Sequence, residues 1–173
     1  MADAFFHEDD YCQVEVLPVA ASDYCRTEMG RIDEFAEAHR DGAGFTDMYV
    51  RGASPVPLAA LKITLEDVRV AVEPLLSPFD QVFTGYGSHR EPCRSTVGWG
   101  EGGSHAVFAG VDEVGVIRAV WLSLYGIPPE RIGHWCLALR ALPRATELVI
   151  ADWNSSEVVS LADHEQLATY LGR

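Results

Sequence analysis

The chain is poor in basic residues, and lysine is almost absent from it. Lys62 is the only lysine among 173 residues, and Lys and Arg together number 13 against 26 acidic residues. The formal net charge is therefore −13. A surface of this sign repels nucleic-acid phosphates and anionic lipids, and it attracts basic partners. The composition argues against a nucleic-acid-binding or membrane-surface protein, although an acidic surface can also serve only to keep a chain in solution.

Long apolar runs and secretion features are also missing. No run reaches the ~18 residues needed to cross a bilayer, and residues 1–10 lack the basic and apolar regions of a secretory signal. The four cysteines, at positions 12, 25, 93 and 136, form no CxxC pair, so neither a zinc ribbon nor a redox pair is indicated. These absences favour a cytoplasmic protein with free, mostly buried thiols, of which Cys93 is the most exposed.

No catalytic or phosphate-binding motif of known spacing occurs. The chain has neither a GxSxG nor an HExxH sequence, and its glycine-rich stretch, residues 98–103, matches no phosphate-binding loop. Glu101 inside that stretch would repel a phosphate. We therefore interpret residues 87–103 as a loop that presents Trp99 and Glu101 as contact residues. The alternative is that Trp99 folds back onto the core.

The order of predicted elements favours an α+β fold. Apolar residues make up 48% of the chain, enough for one large core. Alternation and β-branched runs predict strands, and apolar residues at helical spacing predict helices. The predicted strands are 11–17, 45–51, 80–86, 105–109, 114–124, 147–153 and 157–161, and the predicted helices are 28–39, 64–76, 129–142 and 163–171. Strict βαβ alternation is missing, so a doubly wound parallel sheet is only the alternative.

We expect one globular domain over residues 1–173, with residues 1–10 as a flexible or edge segment. A mainly antiparallel sheet should carry about four helices, packed mostly on one face. Thr64 and Asp67 have the spacing of a capping box at the start of the second helix. In the strand at 11–17, alternation predicts a half-buried strand with Cys12, Val14 and Val16 directed inward.

The segment FFHEDDYC, residues 5–12, gathers the densest set of titratable side chains. His7, Glu8, Asp9 and Asp10 could in principle bind a metal, but no other histidine stands at a recognisable ligand spacing. No metal and no cofactor are therefore predicted. The open alternatives are a solvated acidic edge and an acidic surface that contacts a partner. Aromatic neighbours such as Tyr11 favour the second, because they supply anchors inside a charged rim.

Asp152 is the strongest candidate for an enzymatic carboxylate. It ends an apolar strand, where catalytic acids are frequent in α/β enzymes, and a histidine could join it through the fold. The residues that follow, Trp153-Asn154-Ser155, also fit a tight turn in which the carboxylate satisfies backbone groups without chemistry. Both interpretations stay open.

Two stretches resemble a known class of proteins. They are the helix HWCLALRALP leading into LVIADWNSSEVVSLAD and a short helix that ends in Tyr170-Leu171, and the acidic strand EDDYCQVEVLP. Together they are similar in style to the small cytoplasmic immunity proteins of bacterial polymorphic toxin systems. The resemblance implies a non-enzymatic inhibitor that binds a basic toxin, and it carries over no individual residue.

We therefore expect an acidic binding protein whose partner is a basic protein surface. The predicted contact residues are His7, Glu8, Asp9, Asp10, Tyr11, Trp99, Glu101 and Trp153. Acidic side chains would steer association, and exposed tryptophans would supply affinity. The alternatives are a small hydrolase or ligand-binding enzyme with its site near Asp152 and a histidine, and a structural subunit of a homo-oligomer.

Overall fold

The computed structural model describes residues 2–42, 44–101 and 105–173. Its helices are α1 Ser22–Ala38, α2 Leu65–Val72, α3 Ile132–Arg140 and α4 His164–Leu171. Its strands are β1 Ala4–His7, β2 Val14–Pro18, β3 Arg40–Asp41, β4 Gly44–Phe45, β5 Ser77–Pro78, β6 Val82–Gly85, β7 Glu91–Pro92, β8 Thr96–Glu101, β9 His105–Val111, β10 Ile117–Leu124, β11 Leu148–Asp152 and β12 Glu157–Ser160. None of the helices in these residues is long and apolar enough to cross a membrane.

A seven-stranded sheet in the order β12-β11-β2-β10-β9-β8-β5 forms the centre of the fold. Every pair of neighbours in it is antiparallel. The predicted α+β class and the mainly antiparallel sheet are confirmed. Strand β2 lies between β10 and β11, so a strand from the start of the chain occupies the middle of the sheet.

Three of the four helices cover one face of this sheet, which confirms the predicted packing. Trp135 and Leu139 of α3, Leu167 of α4 and Val68 of α2 are buried in one cluster with Ile150 of the sheet. Helix α2 begins where the sequence predicts, at a capping box. The Thr64 side chain accepts a hydrogen bond from the Asp67 backbone N–H, and the Asp67 carboxylate accepts one from the Thr64 backbone N–H.

The opposite face is covered in two parts. Helix α1 places Cys25 and Met29 over Leu17 of β2. A small sheet in the order β1-β6-β7 places Phe6 against Phe108 and Trp121. Strand β1 pairs in parallel with β6 and forms the outer strand of this small sheet. All five residues of β2 are buried, so the prediction of a half-buried strand is wrong; the sheet is covered on both faces at this point.

The predicted strand at 45–51 is also wrong. Only its first residue belongs to a strand, in the two-residue pairing of β4 with β3. Residues 46–57 then cross α1 and β2 without joining a ladder. Side chains hold this segment instead: Tyr49 donates a hydrogen bond to Glu28 at 2.8 Å, and Arg51 donates one to Glu15 at 2.7 Å. The alternation of polar and apolar residues here reflects these tethers and not a sheet.

Candidate functional site: the acidic end of the sheet

Three strand ends meet at one end of the central sheet. Strand β2 begins at Val14, β10 ends at Leu124, and β11 ends at Asp152. Because β2 is antiparallel to both neighbours, it begins at the end of the sheet where they finish: Asp152 is directly paired with Val14, and Trp121 of β10 with Glu15. Helix α4 also ends here, with Leu171 against the strands.

These elements enclose a cleft with a volume of about 210 Å³. Aliphatic and aromatic side chains form most of its wall, and one carboxylate lies in it. Its lining residues are Val14, Leu124, Tyr125, Gly126, Asp152, Ser155, Tyr170, Leu171 and Arg173. The cleft is therefore amphipathic, with mostly apolar walls and one carboxylate among its lining residues.

Asp152 is held in one orientation by three donors. Its Oδ1 accepts hydrogen bonds from the backbone N–H groups of Asn154 and Ser155, at 3.0 and 3.2 Å, and its Oδ2 accepts one from the Tyr170 hydroxyl at 2.8 Å. The residue is only 9% exposed. A carboxylate offers about four acceptor positions, so these bonds fix Asp152 and leave room for one further donor from the cleft.

The two tyrosines of the cleft respond to its negative charge. Burial raises the pKa of Tyr170 far above its ordinary value, and the neighbouring Asp152 carboxylate adds to this. Burial likewise raises the pKa of Tyr125, and the charges of Asp10 and Asp152 contribute. Both phenols are therefore neutral at physiological pH. The influence of Asp10 also shows that the predicted acidic segment and the cleft share this end of the fold.

That acidic segment, residues 7–10, is called the acidic lip below. It consists of His7 and a 3₁₀ helix, Glu8–Asp10, whose three side chains are exposed. His7 caps the helix by accepting a hydrogen bond from the Asp9 backbone at 3.3 Å. In the described part of the chain, no arginine or lysine forms an ion pair with the lip carboxylates. The lip therefore presents uncompensated negative charge to solvent.

Tyr11 follows the lip and is half-exposed. Its ring lies edge-on against Trp121, with 4.9 Å between ring centroids, and 51% of the residue stays accessible. It forms one wall of a second, wider concavity of about 440 Å³ over β9 and β10, whose rim includes Glu8. Tyr11 and Glu8, two of the predicted contact residues, therefore line the same concavity.

Glu101 lies at the same end of the sheet but is already engaged. It pairs with His105 across strands β8 and β9, and its carboxylate contacts Arg131 and lies 3.6 Å from His134 Nε2. The neighbouring residues 102–104 of the predicted contact loop lie outside the described residues. Because an arginine compensates its charge, Glu101 adds less to the field than the lip does.

The predicted exposure of Trp99 and Trp153 is wrong, since they are 1% and 7% exposed. Trp99 belongs to strand β8, and its indole N–H donates to Glu73 at 3.2 Å. The indole N–H of Trp153 donates to Glu15 at 2.9 Å. Both side chains are internal supports, and neither can anchor a partner without a change in the fold.

A strand with alternating large and small residues explains the error at Trp99. A Cβ added at Gly98 would lie 2.9 Å from the Phe108 ring, so the glycines let neighbouring aromatics approach the strand. The alternation of Val97 and Trp99 with Gly98 and Gly100 is the signal that could have identified β8. Glycine content alone suggested a loop.

The described residues place Tyr170 beside Asp152, and not a histidine or cysteine. No histidine or cysteine lines its cleft or hydrogen-bonds to it there. The same residues contain no group of three His, Cys, Asp or Glu side chains that could hold a metal ion. The turn interpretation of Asp152 accounts for two of its hydrogen bonds, and the cleft adds a surface that the sequence did not reveal.

Comparisons of the chain with protein-family models, with curated proteins and with solved structures found no match. The functional argument therefore depends on the geometry of this end of the fold.

Proposed function

We propose that this protein is a non-enzymatic binding protein that acts in the cytoplasm and inhibits a basic protein partner, as an immunity protein inhibits its toxin. The observation that carries the proposal is the acidic lip. Its three exposed carboxylates have no arginine or lysine partner in the described residues, and they lie at the same end of the fold as a cleft with a fourth, oriented carboxylate. Uncompensated charge of this kind accelerates association with a surface of opposite sign.

The surroundings of the lip support binding over catalysis. Tyr11, which directly follows the lip, and Tyr125, whose hydroxyl is within electrostatic reach of Asp10, are exposed aromatic residues, at 51% and 61%. Tyrosine is enriched at the energetically dominant positions of protein interfaces, where its ring buries area and its hydroxyl bonds at the rim. The alternative, a hydrolase at Asp152, pairs the carboxylate with a histidine, and the described lining of the cleft contains no histidine.

The proposal is tested with the product of the gene immediately upstream, expressed in a heterologous host alone and together with this chain. We expect the upstream product to stop growth and this chain to restore it through a direct complex. A product that is harmless, or that still stops growth when the two proteins are co-expressed, would contradict the proposal.

The contribution of the lip is measured on the same pair of proteins. The double variant Glu8→Gln/Asp10→Asn should slow association and flatten its dependence on ionic strength. The double variant Glu66→Gln/Glu113→Gln changes net charge equally and lies at the other end of the sheet, where α2 meets the β9–β10 turn. Equal association rates for the two variants would remove the lip from the mechanism.

A further inference from the structure

We propose that the cleft at Asp152 receives an arginine side chain of the basic partner, with the Asp152 carboxylate as the acceptor for its guanidinium. This inference rests on the proposed function and assigns a specific contact to the same surface. The cleft would recognise one side chain of the partner by direct contact, whereas the lip acts through charge at longer range.

The cleft combines the two features that an arginine side chain requires. Val14, Leu124 and Leu171 offer an aliphatic wall for its methylene stem, and Asp152 offers an oriented carboxylate for its head. Because Asp152 is already held by Tyr170 and by backbone donors, little entropy is lost in ordering the acceptor. A charged donor at the remaining acceptor position of Asp152 would form a stronger hydrogen bond than a neutral one.

The aromatic walls favour guanidinium over ammonium. Tyr125 and Tyr170 both line the cleft, and a planar guanidinium stacks on tyrosine faces as an ammonium does not. One such contact already exists within the chain. The guanidinium carbon of Arg173 lies 5.9 Å from the centroid of the Tyr170 ring, while its Nη1 pairs with Glu157.

The charge at this end of the fold excludes an anionic occupant. Asp152 lines the cleft, and Asp10 and Glu157 act on its lining residues Tyr125 and Arg173. Helix α4 directs its C-terminal end, the negative end of its dipole, toward the cleft. Arg173 is the basic side chain that lines the cleft in the described residues, and its ion pair is with Glu157. Because Arg173 pairs with Glu157, the Asp152 carboxylate is left to pair with a positive charge of the partner.

The test uses the full chain labelled with ¹⁵N and the blocked tripeptide acetyl-Gly-Arg-Gly-amide as the probe. We expect saturable shifts of backbone amide signals at Gly126, Ser155 and Leu171. The matched peptide with citrulline keeps the shape and loses the charge, and it should bind about tenfold more weakly, as expected for one charge-assisted hydrogen bond. The lysine peptide should also bind more weakly than the arginine peptide.

The deciding variant is Asp152→Asn. An asparagine oxygen can still accept from the backbone of Asn154 and Ser155, so the turn and the fold are expected to persist. This variant should lose the preference for arginine over citrulline, whereas Glu113→Gln, at the other end of the sheet, should keep it. Unchanged chemical shifts outside the cleft confirm that each variant is folded.

A second variant tests the same site without altering Asp152. Arg173→Gln removes the positive charge that lies beside the cleft, and it should strengthen binding of the arginine peptide. Weaker binding by this variant would overturn the inference.

Three further outcomes would also overturn it: equal affinity for arginine and citrulline peptides, equal affinity for arginine and lysine peptides, or arginine preference that survives Asp152→Asn. None of them affects the salt-dependent role of the lip, which is measured with the partner. Conversely, a cleft that selects arginine in a chain that restores no growth would retain the subsite and reject the toxin-inhibitor proposal.

Discussion

Arg51→Ala should be among the most damaging single substitutions outside the apolar core. Arg51 donates to Glu15 at 2.7 Å, and its guanidinium lies 3.9 Å from the centroid of the Trp153 ring. The same Glu15 oxygen accepts the Trp153 indole N–H. The substitution therefore removes the basic partner that Glu15 has in the described residues, and it exposes a face of the Trp153 indole at the same time.

The expected cost follows from the burial of the pair. Breaking a fully buried ion pair costs about 3–5 kcal/mol, and breaking an exposed one costs about 0–1 kcal/mol. The side chains of Glu15 and Arg51 keep 11% and 26% of their exposure, so the pair lies close to the buried limit. We expect a loss of about 3 kcal/mol, which corresponds to about 6–12 °C in Tm for a chain of this length.

The measurement is urea unfolding followed by tryptophan fluorescence, with Arg26→Ala as the control. Arg26 pairs with Asp23 in full solvent exposure, and its loss should change stability by less than about 0.5 kcal/mol. The double variant Glu15→Gln/Arg51→Met should recover most of the loss, because it leaves no uncompensated buried charge. An Arg51→Ala chain as stable as the control, or a double variant as unstable as the single one, would refute the reasoning.

Three further predictions concern reactivity, acid stability and backbone packing. In native protein at pH 8, iodoacetamide should modify Cys93 first, because the other three thiols are buried and burial raises the pKa of each. Mass spectrometry of the labelled peptides measures the order of modification, and equal labelling of all four cysteines would contradict the prediction. Tyr49→Phe should destabilise the protein at pH 7. The hydrogen bond from the Tyr49 hydroxyl is the main cause that lowers the pKa of buried Glu28. The stabilisation that this bond gives the folded state is therefore present above the ordinary glutamate pKa of about 4.3 and fades as pH falls below it. Urea unfolding at several pH values should show that the difference in stability between the variant and wild type shrinks in acid, and a constant difference would contradict the prediction. Gly100→Ala should lower the free energy of unfolding by more than about 3 kcal/mol, because the added Cβ would lie 2.1 Å from a backbone oxygen of the adjacent strand. Gly133→Ala on α3 meets open space and should raise the free energy of unfolding by about 0.5–1 kcal/mol. Thermal unfolding of both variants tests the contrast, and a Gly100→Ala chain as stable as wild type would contradict it.

Local signals accounted for most of the elements. Features that depend on neighbours in sequence lie where the sequence predicts them. They are the apolar stripe of helix α3, the capping box at Thr64, and the hairpins β9–β10 and β11–β12. Apart from β8, whose local alternation was hidden by its glycines, the errors occurred where the conformation depends on residues distant in sequence. Residues 46–57 follow side-chain tethers to Glu15 and Glu28, and no local pattern records such partners.

The candidate site was visible only in part. The acidic lip was identified because charge density is a property of the sequence itself. The cleft was not, because it forms where Val14, Leu124 and Asp152 meet, and the register that aligns them is set by strand pairing over more than a hundred residues. Asp152 was singled out as a strand-terminal carboxylate, but its neighbour Tyr170 could be assigned only from the packing of α4.

The central position of β2 has a consequence for folding during synthesis. This strand is synthesised before both of its neighbours in the sheet, β10 and β11, with about a hundred residues between β2 and β10. Until residue 152 has been synthesised, at least one edge of β2 lacks its partner strand. An unpaired strand edge can pair with another chain. The sheet must therefore close late and in one long-range step, which favours slow folding and makes the nascent chain a substrate for chaperones.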